Sequence, residues 1–307
     1  MAILFSNEIM DAVVKELHEA TVSVQIITAY CKEKAFRYLD TEIGTEVQEK
    51  KLLVRFRLDD VLKGSTDFGI LRYGIEHSWK VYIRFDLHAK TYIVDNKRGI
   101  VGSANATNSG LNIGKAGNME MAAFVDVEPK DINKISNLFN DAILVDTSIL
   151  ANLEQQFDSV EKTENTEGHR WDNSIMKLFN PHIETLFSYE LPEDFELKPG
   201  EYFQFLDENF DGNKEKLRET FRWSNVYLWL LDTLRSHEGC MYFGELSARL
   251  HNVVVADPKP YRKDIKQMLA NLLRLIEELE MEEIVIDRPN YSQRIRLNNE
   301  FKKGWDK

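Results

Sequence analysis

Short apolar strands and amphipathic helices alternate along the first 150 residues, and this alternation restricts the possible folds more than any other feature of the chain. Ser6 can cap a helix that extends to about Glu19, and residues 22–30 then favour a strand. The same order recurs, with helices near residues 34–39 and 67–76 and strands at residues 51–57 and 79–85. Alternating strands and helices predict an α/β fold in which helices flank a mixed β-sheet.

Three further extended segments follow, at residues 89–94, 99–102 and 119–127. The first two are separated by Asp95-Asn-Lys-Arg, which has the composition of a hairpin turn. Residues 129–139 favour another helix. We therefore predict one domain over residues 1–150.

The second half of the chain divides into an acidic stretch and a better patterned end. Residues 154–168 are polar and acidic with little apolar periodicity, which is typical of a linker. Beyond them, three helices are predicted at residues 225–235, at 243–250 and from Pro260 onward, and a hairpin of strands at 283–287 and 294–297. We predict an acidic linker or bridge over residues 151–211 and a smaller, winged-helix-like α+β domain over residues 212–307.

The net charge of −12 does not exclude a polyanionic partner, because the charge is unevenly distributed. Residues 1–150 carry −3, residues 151–211 carry −11 and residues 212–307 carry +2. Phosphate contacts depend on the local field, so both flanking regions remain able to bind nucleic acid.

Cysteine usage and apolar runs narrow the class of protein further. Cys31 and Cys240 lie far apart without a Cys-x-x-Cys or clustered histidines, so we expect neither a zinc site nor a disulfide framework. No apolar run approaches the roughly 18 residues of a membrane span, and the first residues do not resemble a secretory signal. We expect a cytoplasmic location, no membrane association, no metal and no cofactor.

The most informative chemistry lies between His88 and Asn105. If residues 89–94 form a strand, His88 and Lys90 point the same way, roughly 6–7 Å apart along the chain. Ser103 and Asn105 repeat this spacing in the next segment. An imidazole, an ammonium, a hydroxyl and an amide on one surface can bind a tetrahedral anion and attack it, as phosphoryl transfer requires.

This pattern of His-x-Lys, four residues, Asp, six residues and Gly-Ser-x-Asn resembles the motif of the phospholipase D superfamily, also called the HKD family. The resemblance extends to Asn118-Met-Glu120, which is similar to an Asn-x-Glu in the small bacterial nucleases of that superfamily. It covers roughly residues 1–150 and implies the phospholipase D fold for them. A satisfied core histidine among scattered polar residues is the alternative.

The resemblance implies a role for each motif residue. His88 would be the nucleophile that forms a phosphohistidine, and the same histidine of a second copy would protonate the leaving oxygen and then activate water. Lys90 and Asn105 would hold the nonbridging oxygens, and Ser103 would add a hydrogen bond. Glu120 would orient the imidazole, whereas Asp95 is more a structural partner in this family than a reacting group.

Other polar residues are weaker candidates. Arg55 and Arg57 alternate on a predicted strand, where they either reach phosphate or form a solvated edge. The third C-terminal helix is predicted to expose polar residues opposite its apolar stripe, and these could contact DNA or simply face solvent: Lys263, Lys266, Gln267, Asn271 and Arg274. The other six histidines have no matching partners.

The resemblance favours a metal-independent nuclease, acting on DNA rather than RNA, over a phospholipase or phosphatidyl transferase and over a catalytically silent scaffold. Similar domains occur in certain metal-independent restriction endonucleases and in proteins of bacterial anti-phage systems, where a catalytic domain is joined to a separate recognition domain. The resemblance therefore implies a role in DNA defence, with a helicase or another defence-system protein as a candidate partner. Because the chain holds no second copy of the motif, we expect a homodimer formed through the N-terminal domain.

Overall fold

The computed structural model describes residues 3–114, 117–160, 169–193 and 196–302. Contacts divide the chain into two compact units, Met1–Ile175 and Met176–Lys307. This division lies at a different position from the predicted boundaries at residues 150 and 211. Residues 161–168, the second half of the acidic stretch predicted as a linker, lie outside the described residues.

The first unit is built on one large mixed sheet, as the sequence predicts. Its eight strands lie in the order β1-β7-β6-β5-β2-β3-β4-β8, with β2, β3 and β4 parallel and the other pairs antiparallel. The strands are β1 (Ile3–Phe5), β2 (Ser23–Thr28), β3 (Glu49–Arg55), β4 (Trp79–Arg84), β5 (Lys90–Val94), β6 (Arg98–Gly102), β7 (Met121–Asp126) and β8 (Ile143–Leu144). The helices are α1 (Ser6–His18), α2 (Glu33–Thr41), α3 (Leu58–Leu62), α4 (Gly69–Glu76), α5 (Pro129–Asn140) and α6 (Thr147–Ser159), with α7 (Asn173–Met176) at the boundary.

Helices cover both faces of the sheet centre. Every residue of β2 is buried, since this central strand has covered neighbours on both sides. The apolar stripe of α1, with Ile9, Val13 and Leu17, is buried as predicted. On the opposite face, Phe139 of α5 packs in a cluster with Ile27 and Ile93.

The predicted cap of α1 is wrong in detail. Ser6 is the first residue of the helix, and Phe5 occupies the cap position. The Ser6 Oγ accepts a hydrogen bond of 2.7 Å from the Glu120 N–H, so it holds another segment instead of its own helix end. The Phe5 N–H donates to the Glu8 carboxylate at 2.9 Å.

Part of the predicted linker belongs to the first unit. Residues 147–159 form α6, and the Trp171 ring stacks on Phe56 with centroids 5.7 Å apart. The Trp171 indole N–H also donates to the Phe56 carbonyl at 2.6 Å. Trp171 therefore packs into the core of the first unit, although it follows the polar and acidic residues of the predicted linker.

The second unit combines helices with small sheets. Its strands are β9 (Leu186–Phe187), β10 (Tyr202–Phe203), β11 (Glu208–Asn209), β12 (Cys240–Tyr242), β13 (Val254–Val255), β14 (Ile284–Asp287) and β15 (Arg294–Leu297). Its helices are α8 (Lys214–Arg222), α9 (Asn225–Arg235), α10 (Phe243–Val253), α11 (Arg262–Glu278) and α12 (Asn299–Lys302). Strands β12, β15 and β14 form an antiparallel sheet in that order, and α9 and α11 bury their apolar faces in the core. The winged-helix likeness stays a prediction.

Candidate active site

His88 and Lys90 lie at the start of β5, beside the end of β2. Leu87 is buried and anchors the segment, whereas His88 is exposed. The Lys90 Nζ donates to the His88 carbonyl at 2.7 Å, which fixes the ammonium next to the imidazole. The His88 ring forms no hydrogen bond with any residue that the structure describes, so both ring nitrogens remain open to a ligand.

The electrostatic surroundings of His88 favour its neutral form. Partial burial and the positive charges of Lys90, Arg55 and Arg57 lower the pKa of the imidazole below its usual 6.5. Burial and the charge of Arg55 also lower the pKa of Lys90, against the opposing charge of Glu120. A neutral imidazole beside several cations is the state that a histidine nucleophile needs.

Arg55 and Arg57 lie close enough to His88 for their charges to act on it, and they do not form a solvated edge of the sheet. The Arg55 side chain is only 13% exposed, and its guanidinium binds both Asp60 carboxylate oxygens at 2.8 and 2.9 Å. It also donates to the Tyr30 hydroxyl and lies 4.7 Å from the centre of that ring. Burial opposes the charge of Arg55, but the hydrogen bonds to Asp60 outweigh it and raise the pKa.

Arg57 is held differently. Its Nε donates to the Phe85 carbonyl, and burial together with the charge of Arg55 lowers its pKa to about 10. At neutral pH it therefore stays charged, and its field reaches His88. The two arginines and Lys90 make this end of the sheet cationic.

Asn105 is oriented by the end of β2. Its side-chain oxygen accepts from the Tyr30 N–H at 3.0 Å and from the Thr28 hydroxyl at 3.4 Å. Its Nδ2 has no partner among the described residues, so the amide keeps two donors for a ligand. This is the arrangement expected of a group that binds an anionic oxygen.

Ser103 and Glu120 form a separate hydrogen-bonded pair. The Ser103 hydroxyl donates to one Glu120 oxygen, and the Asn118 amide donates to the other at 3.1 Å. Glu120 is buried, and no hydrogen bond joins it to His88 in the part of the chain that the structure describes. Its implied role in orienting an imidazole is therefore not seen within one chain and stays a prediction.

Asp95 lies at the other end of β5, away from the site. Four residues separate it from Lys90, so the two Cα atoms lie five strand steps, or about 17 Å, apart. Burial would raise the pKa of its carboxyl, but hydrogen bonds from Ser23, Val22 and Thr21 outweigh burial and lower it. The prediction that Asp95 belongs to the catalytic residues is therefore corrected. Its carboxylate connects the start of β2 to the β5–β6 turn.

Several supporting residues could not be found from the motif: Tyr30, Asp60, Thr28 and Ser6. Thr28 is paired with Lys90 across β2 and β5, which places the end of one strand beside the start of the other. These residues lie far from the motif in the sequence, and the order of the strands in the sheet brings them close to it.

In the second unit, α11 exposes four of the predicted nucleic-acid contacts: Lys263, Lys266, Gln267 and Arg274. The prediction for Asn271 is wrong, because this residue is buried. Its amide donates to the carbonyls of Pro192 and Glu193 at 3.0 and 2.6 Å. Asn271 therefore stabilises the unit instead of facing solvent.

The fold and the motif define a class of phosphodiester-processing proteins, and a family comparison agrees. A family model described as cardiolipin synthase, PLD-like domain matches residues 1–159, more than half of the chain. The chain belongs to the phospholipase D superfamily. This membership supports phosphodiesterase-type chemistry.

The solved structures to which this chain is similar are distant in sequence. Nuc, a phospholipase D family member from Salmonella typhimurium, is 18% identical over 48% of this chain and 97% of its own, with a TM-score of 0.37. NucT from Helicobacter pylori is 12% identical over 47% and 98%, with a TM-score of 0.37. A phosphatidylserine synthase from Haemophilus influenzae is 11% identical over 98% and 88%, again with a TM-score of 0.37. A comparison with curated proteins finds no match.

The described residues offer neither a membrane-spanning helix nor a cluster of metal ligands. None of the helices in the described ranges has the length and apolar character to span a bilayer. Among the same residues, no three histidine, cysteine or acidic side chains converge as metal ligands.

Proposed function

We propose that the protein is a metal-independent phosphodiesterase that cleaves nucleic acid, with DNA favoured over RNA. The observation that carries this proposal is the open His88 imidazole, kept neutral beside Lys90, Arg55 and Arg57. These cations and the free Asn105 amide group supply the charge stabilisation that Mg²⁺ provides in many other nucleases.

The chemistry follows from these positions. A His88 ring nitrogen attacks phosphorus, a nitrogen–phosphorus bond forms, and the bond from phosphorus to the leaving oxygen breaks. The leaving oxygen takes a proton from a second histidine. That histidine then removes a proton from water, which attacks phosphorus, and the bond to His88 breaks. Lys90 and the Asn105 amide hold the nonbridging oxygens throughout.

The second histidine comes from another copy of the chain, because the sequence carries one motif. An uncovered apolar face supports such a dimer. Ile3 and Val101 both lie opposite Ala123, and Phe5 lies opposite Met121, so all of them share one face of β1, β7 and β6. Their exposed fractions range from 43% to 62%. Ser103 continues this row, since its N–H donates to the Met121 carbonyl.

A lipid substrate is the second candidate, and one feature favours it. A groove of about 560 Å³ lies between α5 and the sheet, lined mainly by apolar side chains that include Ala89, Thr91 and Ile135. Ala89 is the chain neighbour of His88, so an acyl chain could lie near the reacting group. A catalytically silent scaffold is the third candidate.

One set of assays separates these candidates. Purified protein is incubated with plasmid, single-stranded DNA, RNA and phospholipid vesicles, each with and without EDTA. We expect DNA cleavage that persists in EDTA. Cleavage that stops in EDTA and returns with Mg²⁺ would contradict the mechanism, and turnover of phospholipid alone would favour the lipid candidate. No turnover at all would favour the scaffold.

A mixing experiment tests the shared site. His88→Ala subunits are mixed with wild type, and the mass of each sample is measured by light scattering. We expect dimers, with mixed dimers inactive. A monomer that cleaves, or mixed dimers of full activity, would rule the shared site out.

Restriction or anti-phage defence, with a helicase delivering DNA, is the biological setting that we propose for this activity.

A further inference from the structure

Helix α11 presents a stripe of polar side chains along its exposed face. Ile265, Leu269, Leu272 and Ile276 fill the core on one side, which leaves a continuous stripe on the other side. The members of this stripe are Lys263, Lys266, Gln267 and Arg274, preceded by Arg262 at the first helical position, with the half-buried Ala270 among them. The two glutamates at the far end, Glu277 and Glu278, are exposed as well. The positive charge is therefore concentrated in the first three turns.

The cations at the start of the stripe form no ion pairs within the part of the chain that the structure describes, although Asp264 lies in the same turn, where it accepts from the Tyr261 N–H. Arg262, Lys263 and Lys266 form no ion pair with any described residue, whereas other basic residues of this unit, such as Lys216, Arg222 and Arg294, are paired. Like charges on adjacent helical turns repel one another and destabilise the helix slightly. A polyanion bound across the stripe would remove this repulsion.

The dimensions of α11 suit the major groove of duplex DNA. Its 17 residues extend over about 25 Å, and the exposed Gln267 lies one turn before the small, half-buried Ala270. A small residue permits close approach. One N–H of the Gln267 amide donates to the Asn271 side-chain oxygen at 2.9 Å, which leaves the other hydrogen and the oxygen for a base edge. The major groove of duplex RNA is too narrow for a helix, so DNA is the better fit.

We propose that the second unit binds duplex DNA, with the first three turns of α11 in the major groove. Lys263 and Lys266 contact phosphates, Gln267 faces the bases, and the glutamates at the end of the helix remain outside the groove. This binding site is separate from the phosphodiesterase site. It does not depend on the substrate proposed above.

Binding is measured with the full chain carrying His88→Ala, so that no cleavage can interfere. Fluorescence anisotropy follows a labelled 20-base-pair duplex of DNA and the same duplex of RNA over a series of salt concentrations. The test variant adds Lys263→Glu and Lys266→Glu. The control adds Lys198→Glu and Lys214→Glu, two exposed residues of the same unit outside α11, which change the net charge equally.

We expect the test variant to lose about tenfold or more in DNA affinity, with the slope against salt reduced by about 2. The control should change affinity less than twofold, and circular dichroism should show both variants folded. Equal losses in both variants, no loss in the test variant, equally tight binding of duplex RNA, or no DNA binding by the parent chain would each overturn the proposal. An unfolded test variant is replaced by Lys263→Gln with Lys266→Gln, for which the same outcomes decide.

Discussion

The two cationic regions of the molecule differ in how their charges are held. At the start of β5, Arg55 is fixed by both Asp60 oxygens and by Tyr30, and Lys90 is fixed by the His88 carbonyl. On α11, Lys263 and Lys266 extend into solvent without an ion pair among the described residues. The charges at the start of β5 are therefore preorganised and partly shielded from solvent, whereas those on α11 are solvent-exposed and not held by an ion pair with a described residue.

This difference indicates two kinds of work. Charges fixed in position stabilise a transition state because they need no rearrangement when charge develops. Loose surface charges contribute affinity and fast association, since they release counterions when they meet a polyanion. Substitutions at the start of β5 should therefore change turnover, whereas substitutions on α11 should change binding.

The largest expected effect belongs to His88→Ala. It removes the nucleophile without touching the core, so turnover should fall by about a thousandfold or more while the melting temperature stays the same. Initial rates and thermal unfolding of the same preparation measure both. His18→Ala, at an exposed histidine of α1 outside both sites, is the matched control, with unchanged turnover. Wild-type cleavage by His88→Ala would show that another residue attacks phosphorus.

Asp60→Asn tests whether the fixed position of Arg55 matters. With a neutral partner, Arg55 loses one charged contact, and we expect turnover to fall about 10- to 100-fold, less than for loss of the nucleophile. The free energy of unfolding should fall by about 1 to 3 kcal/mol. Glu33→Gln, which affects the exposed Arg37 pair, should change stability by less than about 0.5 kcal/mol. An Asp60→Asn protein with wild-type turnover would mean that the position of Arg55 is irrelevant.

Asp95→Asn should affect stability alone, because Asp95 lies at the far end of β5. Loss of a charged acceptor for three backbone N–H groups should cost about 1 to 3 kcal/mol. The pKa of Asp95 is lowered on folding, so its contribution is present above its usual 3.8 and is lost as the pH falls through the folded value. Urea unfolding at pH 7 and well below pH 3.8 measures this.

The difference between wild type and Asp95→Asn should accordingly shrink in acid. Asp126→Asn, at an exposed strand end, is the control and should cost less than about 0.5 kcal/mol. Turnover per folded molecule should be unchanged. A specific loss of turnover would return Asp95 to the catalytic set.

The smallest expected effect is a shift in pH dependence. Attack needs neutral His88, so activity rises with pH through the pKa of that imidazole. Arg57→Gln removes a positive charge that lowers this pKa, and the acid limb of kcat/KM should therefore move to higher pH. Arg37→Gln, with no such influence on His88, should leave the limb in place. A limb that stays in place or moves to lower pH in Arg57→Gln would contradict the electrostatic account.

The sequence predicted most of the local structure because hydrophobic period and turn chemistry are local signals. The alternating elements of the first unit and helices α9, α10 and α11 appear within a few residues of their predicted positions. The spacing of His88, Lys90, Ser103 and Asn105 predicts a shared face only if both pairs lie on strands. Lys90 begins β5, but Ser103 and Asn105 follow the end of β6, so the shared face stays a prediction.

Long-range pairing was not predictable in this way. Nothing near Tyr30 in the sequence indicates that its N–H orients Asn105, or that its hydroxyl meets Arg55. Likewise, the spacing of α11 placed Asn271 on the polar side, but that position faces the backbone of Pro192 and Glu193, which no helical pattern could reveal. These contacts depend on the order of strands and on loop paths.

The pairing of β1 with β7 also sets the order in which the site can mature during synthesis. Phe5 lies opposite Met121, and Ser6 holds the backbone of Glu120, so two segments more than a hundred residues apart must meet. Such distant contacts close late, because the intervening chain must first be made and ordered. A nascent chain that carries His88 but not yet Glu120 therefore holds this histidine in an unfinished sheet, and the sheet is complete only after β7 has emerged from the ribosome.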